Sequence, residues 1–289
     1  MSLSFFKSVK ALELVARKNA TSVLTGNYVT TFTGRGFHFH EARKYIAGEP
    51  DKSIDWNMTA RMNEPYVKVV NDERQREVII VLDTSPSMRT GWQGLTKLDY
   101  AIEISATLAL SAIEAGDRFG FLLFSDKVHS YARASTGKRQ LHHALRAFLQ
   151  AKNSTYRSKL SDPRLAIKQL QQQKGRKFII FLVSDFIDED VPDDIKYLQK
   201  RHDVNLVHIF DRLEFSETGD VFFSGYSPEA AFRPIRFRPD LSREHFLSDL
   251  KDRAQKLKIN LFSYSTITPA TIALRELFYY KRLSINKRI

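Results

Sequence analysis

Asp83-Thr84-Ser85-Pro86-Ser87 is the stretch of this chain best suited to chemistry. An aspartate followed by serines at i+2 and i+4 offers one carboxylate and two hydroxyls. These are hard oxygen donors, which suit Mg²⁺ or Mn²⁺ better than zinc. The same residue types also make ordinary turns, because Asp, Ser and Pro all favour them. Position sharpens the metal reading: the triplet directly follows the apolar run Val78-Ile79-Ile80-Val81-Leu82 and precedes a helical pattern. A second acidic group, Asp185 in Ser184-Asp185-Phe186, directly follows another such run. A third donor is expected from the loop before a helix over 163–173, where Ser161, Ser158 and Thr155 are the candidates. Ser161 or Asp162 would also serve as an N-cap ahead of Pro163.

The expected metal set is therefore Asp83, Ser85, Ser87 and Asp185, completed by one of Ser161, Ser158 and Thr155. An ion held by neutral hydroxyls and few carboxylates keeps its Lewis acidity and a replaceable water. A carboxylate from another molecule can take that position. Binding is expected rather than catalysis. The chain has no G-x-x-x-x-G-K-[ST], no H-E-x-x-H and no G-x-S-x-G, and the Ser and Asp residues above lack a sequence-evident histidine partner.

The elements that must position these groups are a set of strands without polar alternation. Besides 78–82 they are Phe119 to Phe124, Phe178 to Val183, Val204 to Phe210 and, more weakly, Ile259 to Tyr264. Such runs suit strands covered on both faces. Helical patterns separate them. One follows the capping-box form Thr96-Lys97-Leu98-Asp99 and ends at Gly116. Others cover about 138–150, 163–173, 193–201, 243–257 and 269–282, and 128–132 reads as an extra edge strand. The expected fold class is α/β: a doubly wound, mostly parallel, Rossmann-like sheet flanked by helices. Ligands in such sheets sit at the carboxyl ends of the strands, where strand order reverses. Residues 1–75 read as an N-terminal accessory segment and 76–289 as the α/β domain, with 211–242 a hairpin or loop excursion.

Composition bounds the function classes. Hydrophobic residues are 43% and charged residues 27%, as in ordinary globular domains. The chain has no cysteine, which excludes a disulfide framework, a thiolate zinc site and a cysteine nucleophile and suits a reducing compartment. No apolar run reaches the length of a membrane span. Lys7 and Lys10 interrupt the opening apolar residues, so these read as an amphipathic helix rather than a secretory signal. A cytoplasmic location is expected. The formal charge of +12 favours acidic partners. Because the basic residues are dispersed, nucleic acid is the lesser expectation among them.

The D-x-S-x-S triplet, loop hydroxyl and strand-end aspartate resemble the metal-ion-dependent adhesion site of von Willebrand factor type A domains. Upstream, Glu41-Ala42-Arg43-Lys44-Tyr45, Gly48-Glu49, Ser53-Ile54-Asp55-Trp56 and Thr59-Ala60-Arg61 resemble the signature of the bacterial domain-of-unknown-function-58 family. Gly116-Asp117-Arg118, Asp211 and Glu214 add to the likeness. The resemblance implies an A-type domain behind an accessory segment. It also implies a chaperone-like or adaptor role beside a MoxR-type AAA+ ATPase. The family's loop residue is usually Thr followed by Asp; Ser161-Asp162 stands at that place, so the resemblance implies the metal set Asp83, Ser85, Ser87, Ser161 and Asp185, and Pro163 departs from the usual apolar residue.

Two other functions compete: a metal-dependent hydrolase using the same carboxylates, and a basic nucleic-acid-binding module. For the latter, Arg alternates with Phe in 232–238, a pattern suited to stacking on single strands or to plain packing. His38 and His40 offer a weaker metal pair. Glu41, Arg43, Asp55 and Arg61 suit a structural ion-pair network.

Overall fold

The computed structural model describes residues 3–25, 42–45, 56–62, 64–68, 75–92, 95–154, 161–173, 177–187, 191–211 and 243–286. Thr155, Ser158, His38, His40, Glu41, Asp55 and the 212–242 excursion lie outside the described residues.

Six strands form the central sheet: β3 (Glu77–Asp83), β6 (Arg118–Phe124), β7 (Val128–Ser135), β8 (Phe178–Ser184), β9 (Asp203–Phe210) and β10 (Asn260–Ser265). Their spatial order is β10-β9-β8-β3-β6-β7. All neighbours run parallel except β7, which pairs antiparallel with β6 at one edge. The apolar runs thus become strands, each within a residue or two of the expected bounds. The chain leaves β3 for β6 on one side and later returns through β8 on the other. Strand order therefore reverses between β3 and β8, which is where an open α/β sheet forms its crevice.

Alternation along β3 feeds two cores, as a period of two requires. Val78, Ile80 and Leu82 join one apolar cluster, while Ile79 and Val81 join the other. The first cluster takes buried residues from α1 (Leu3–Thr25), α3 (Lys97–Glu114), α4 (Lys138–Asn153) and α8 (Ala270–Asn286). The second takes them from α5 (Pro163–Gln171), α6 (Ile195–Gln199) and α7 (Arg243–Lys256). The opening segment is the expected helix. It buries Val9, Ala16 and Ala20 in the first cluster and is tied to α3 by Arg17–Glu114 (2.8 Å) and Asn19–Glu103 (2.7 Å).

Part of the upstream signature makes a small ribbon, in which β1 (Ala42–Lys44) pairs antiparallel with β2 (Tyr66–Lys68). Between them α2 (Trp56–Met62) carries Thr59, whose Oγ1 accepts the Tyr66 N–H at 3.1 Å. Two residues each form β4 (Gly91–Trp92) and β5 (Leu95–Thr96), a hairpin leading into α3. The capping box is present: Thr96 and Asp99 exchange side-chain to backbone hydrogen bonds. Gly116 then takes φ +80°, and the Asp117 N–H reaches back to the Ala112 carbonyl, a left-handed helix stop. The helix expected over 193–201 is shorter, only Ile195–Gln199. The flanking turns are held by i→i−3 bonds such as Lys196 N–H to the Asp193 carbonyl.

Candidate metal centre

Asp83 is the last residue of β3, and Ser184 is the last of β8. The β3–β8 register pairs Leu82 with Val183, so the next residues on both strands reach the rim together. Asp83 and Asp185 therefore stand at the same carboxyl edge of the sheet, beside the reversal point. Both are buried, at 0% and 1% exposure.

Three chain segments meet at Asp83. Its Oδ1 accepts the backbone N–H of Ser85 at 2.8 Å. Its Oδ2 accepts two hydroxyls, Ser161 Oγ and Ser184 Oγ, each at 2.7 Å. Ser85 Oγ and Ser87 Oγ lie 3.0 Å apart. All of these serines are buried. The 3₁₀ turn Ser87–Arg89 starts immediately after Pro86, which turns the chain off the strand. On its far side the Arg89 guanidinium donates to the carbonyls of Ala151 (2.7 Å) and Lys152 (3.0 Å) at the end of α4.

The loop serine is placed from both sides. Asp162 is the N-cap of α5, accepting the Arg164 N–H at 3.0 Å, and Pro163 occupies the first turn. The Asp162 N–H donates to the Ser125 carbonyl at 2.9 Å, which ties this loop to the end of β6. Capping and site duties are thus divided: Asp162 caps, and Ser161 turns to Asp83. Beyond β8, Phe186 adopts φ +52°, an uncommon backbone for a non-glycine residue. Its N–H donates to Ser184 Oγ at 3.1 Å, and its ring is buried. This turn presents Asp185 at the rim.

Two functional side chains were not singled out from the sequence. One is Ser184, which donates to Asp83. The other is Lys97, the first residue of α3. Its ammonium is fully buried and donates to Asp185 Oδ2 at 2.5 Å. The opposite Asp185 oxygen accepts the Ile187 N–H at 3.3 Å. A lysine in the first helical turn opposes the helix dipole, and that misplaced charge is the sequence signal that could have pointed to an anion nearby.

Electrostatics follow from this packing. Burial, and next the negative charge of Asp185, push the Asp83 carboxyl up from 3.8 to about 6. The hydrogen bonds from Ser184, the Ser85 N–H and Ser161 pull in the opposite direction. A buried carboxylate that remains costly despite three donors favours a cation beside it.

The donor set fits a small hard ion. An octahedral shell with bonds of about 2.1 Å places adjacent oxygens roughly 2.9 Å apart. The separations of 2.7 Å (Asp83–Ser161) and 3.0 Å (Ser85–Ser87) are those of the hydrogen bonds joining these groups, so the fit rests on the donor types and their convergence. Among the described residues, no group of three or more His, Cys, Asp or Glu gathers. The chemistry of the cluster is hydroxyl and carboxylate oxygen alone. Also among the described residues, no helix is long and apolar enough to cross a membrane.

Known proteins resemble this chain at several levels. Uncharacterized proteins of Mycobacterium tuberculosis and Mycobacterium bovis are 26% identical over 243 residues, covering 82% of this chain and 76% of theirs. Among solved structures, the conserved hypothetical protein BatB from Bacteroides thetaiotaomicron is similar, with 17% identity and a TM-score of 0.46. That match covers 72% of this chain and 99% of BatB. The SpRpn10 VWA domain is similar with 11% identity and a TM-score of 0.41, over 70% of this chain and 94% of that one. The family model described as "Protein of unknown function DUF58" matches residues 41–254, most of the chain, and the protein belongs to that family.

Proposed function

We propose that this protein is a metal-ion-dependent protein-binding module. Asp83, Ser85, Ser87 and Ser161 would hold Mg²⁺ or Mn²⁺, with Asp185 as the outer carboxylate. The ion would supply a Lewis-acidic position open to an oxygen ligand. An Asp or Glu of a partner protein is the natural occupant, since it adds the missing anionic donor. The chain's own residues do the rest. Ser184 and the Ser85 N–H orient the Asp83 carboxylate, and the bond from Asp162 to the β6 end holds Ser161 in reach.

The observation that carries this reading is the convergence of three chain segments on the buried Asp83 carboxylate, with the Ser85 and Ser87 hydroxyls paired on the segment that follows it, at the rim where strand order reverses. We favour binding over catalysis because the serine hydroxyls at the rim are engaged with Asp83 and with each other. The partner we favour is a MoxR-type AAA+ ATPase or its client, with this chain as a chaperone-like adaptor. That part rests on the family resemblance. With no cysteine in the chain, we place its action in the cytoplasm.

The test is a pull-down from native lysate in Mg²⁺ or EDTA, with wild type and Asp83→Ala. At least one protein should be retained by wild type in Mg²⁺ and lost in the other three conditions. Identical bound sets in all four would refute the adhesion-site reading.

A further inference from the structure

Lys97 carries an inference that rests on the proposed metal site and deepens it. Its ammonium is completely buried, and its recorded anionic partner, Asp185, is one of the five residues assigned to that site. Burying an ammonium and a carboxylate strips both of their hydration, a cost offset only when the two are tightly paired. The lysine also sits in the first turn of α3, where the helix dipole adds to its positive charge. Such a placement is costly unless the charge is used. Asp83 and Asp185 both stand at this rim, and the charge of Asp185 acts on Asp83. With Lys97 present, the two aspartates and the ammonium sum to one negative charge. A divalent ion would then leave the centre at one positive charge, where without the lysine it would be neutral.

We propose that Lys97 is a built-in competitor for the divalent ion. Its ammonium and the metal contend for the same Asp185 carboxylate, so Lys97 sets how tightly the site takes the ion. The site is thereby held together by an internal cation and takes the metal only weakly enough for exchange. The positive charge left over when both cations are present favours capture of an acidic side chain.

The experiment titrates the full chain with Mn²⁺, following the free ion by electron paramagnetic resonance. It records melting temperatures in EDTA and in saturating Mn²⁺. The variants are Lys97→Met, Lys97→Gln and Lys97→Arg. Lys97→Gln keeps a hydrogen-bond donor toward Asp185 without the charge, so it carries the test if Lys97→Met folds poorly. Both neutral variants should bind Mn²⁺ more tightly, on the order of tenfold, because a full positive charge beside the ion is removed. They should melt lower than wild type in EDTA and recover in Mn²⁺, as the ion takes over the role of the ammonium. Lys97→Arg should stay within a few-fold of wild type.

Unchanged or weaker Mn²⁺ binding in both neutral variants, with wild type still binding, would overturn the role of Lys97 and leave the adhesion site standing. No Mn²⁺ binding by any chain would remove both. Neutral variants that fold neither with nor without Mn²⁺ would also count against the proposal, since the ion should replace the lost cation.

Discussion

Replacing Asp83 by Asn should stabilise the protein in EDTA and destabilise it, relative to wild type, in saturating Mg²⁺. The folded carboxyl lies at about 6 against 3.8 when unperturbed, so its contribution is most favourable below pH 3.8 and is lost as pH rises through about 6. At pH 8 the cost of the buried charge is fully present, at about 3 kcal/mol. Asn removes the charge and keeps the shape. Its Oδ1 can still accept the Ser85 N–H, while its NH₂ faces Ser161 and Ser184, whose hydroxyls can rotate to accept. The hydrogen bonds from Ser184, the Ser85 N–H and Ser161 are already contained in that figure, so the net gain is about 3 kcal/mol. In Mg²⁺ at about a thousand times the dissociation constant, wild type gains about 4.1 kcal/mol that the variant does not. The order of stability should then reverse, with wild type ahead by roughly 1 kcal/mol. Urea unfolding at pH 8, with EDTA and with Mg²⁺, reads both values, and repeating the EDTA series at pH 4 should shrink the variant's advantage. A variant less stable than wild type in EDTA at pH 8 would refute the electrostatic reasoning. Failure of the order to reverse in Mg²⁺ would refute the ligand assignment.

Three further outcomes follow from named contacts. Ser161→Ala should weaken Mn²⁺ binding by about tenfold or more while leaving the far-ultraviolet dichroism unchanged, as read by titration and spectroscopy. The His202 ring, buried and stacked on Phe178, accepts the Phe178 N–H through Nδ1 at 3.2 Å; burial first, then Arg201 and Lys177, lower it from 6.5 to about 4. Its contribution is present above pH 6.5 and lost as pH falls through about 4, so stability should drop by at most about 3 kcal/mol across that window, and less in His202→Gln, when followed by urea unfolding. Gly120→Ala should cost about 1–3 kcal/mol, because a Cβ there would lie 2.8 Å from the Ala132 carbonyl oxygen and 2.9 Å from the Ala134 nitrogen; hydrogen exchange should show β7 loosening first.

The sheet was legible because its strands are continuous apolar runs, which a parallel sheet covered on both faces demands. Val128 to Ala132, read as an edge strand, runs on to Ser135 and pairs only with β6, so burial did not mark its end. Asp83 and Asp185 were legible because each directly follows such a run. Ser161 was one of three hydroxyls on a loop, and spacing could not separate them; its contact with Asp83 depends on the Asp162–Ser125 tie, made by residues 37 positions apart. Lys97 was hidden by a true local reading. It lies inside the Thr96–Asp99 box, and that box accounts for its backbone while saying nothing of where its long side chain goes.

The grip of Arg89 on two successive carbonyls of α4 has a mechanical consequence. Ser87 and Arg89 share a single short turn, so one end of that turn is at the rim and the other is clamped to a helix terminus sixty residues on. The clamped end of α4 also carries Lys152, which pairs with Asp99 at the start of α3 (2.7 Å). Displacing Ser87 beyond the slack of a hydrogen bond must either drag that terminus along or break the guanidinium's hold. An ion that moved Ser87 would thereby be felt where the end of α4 meets the start of α3.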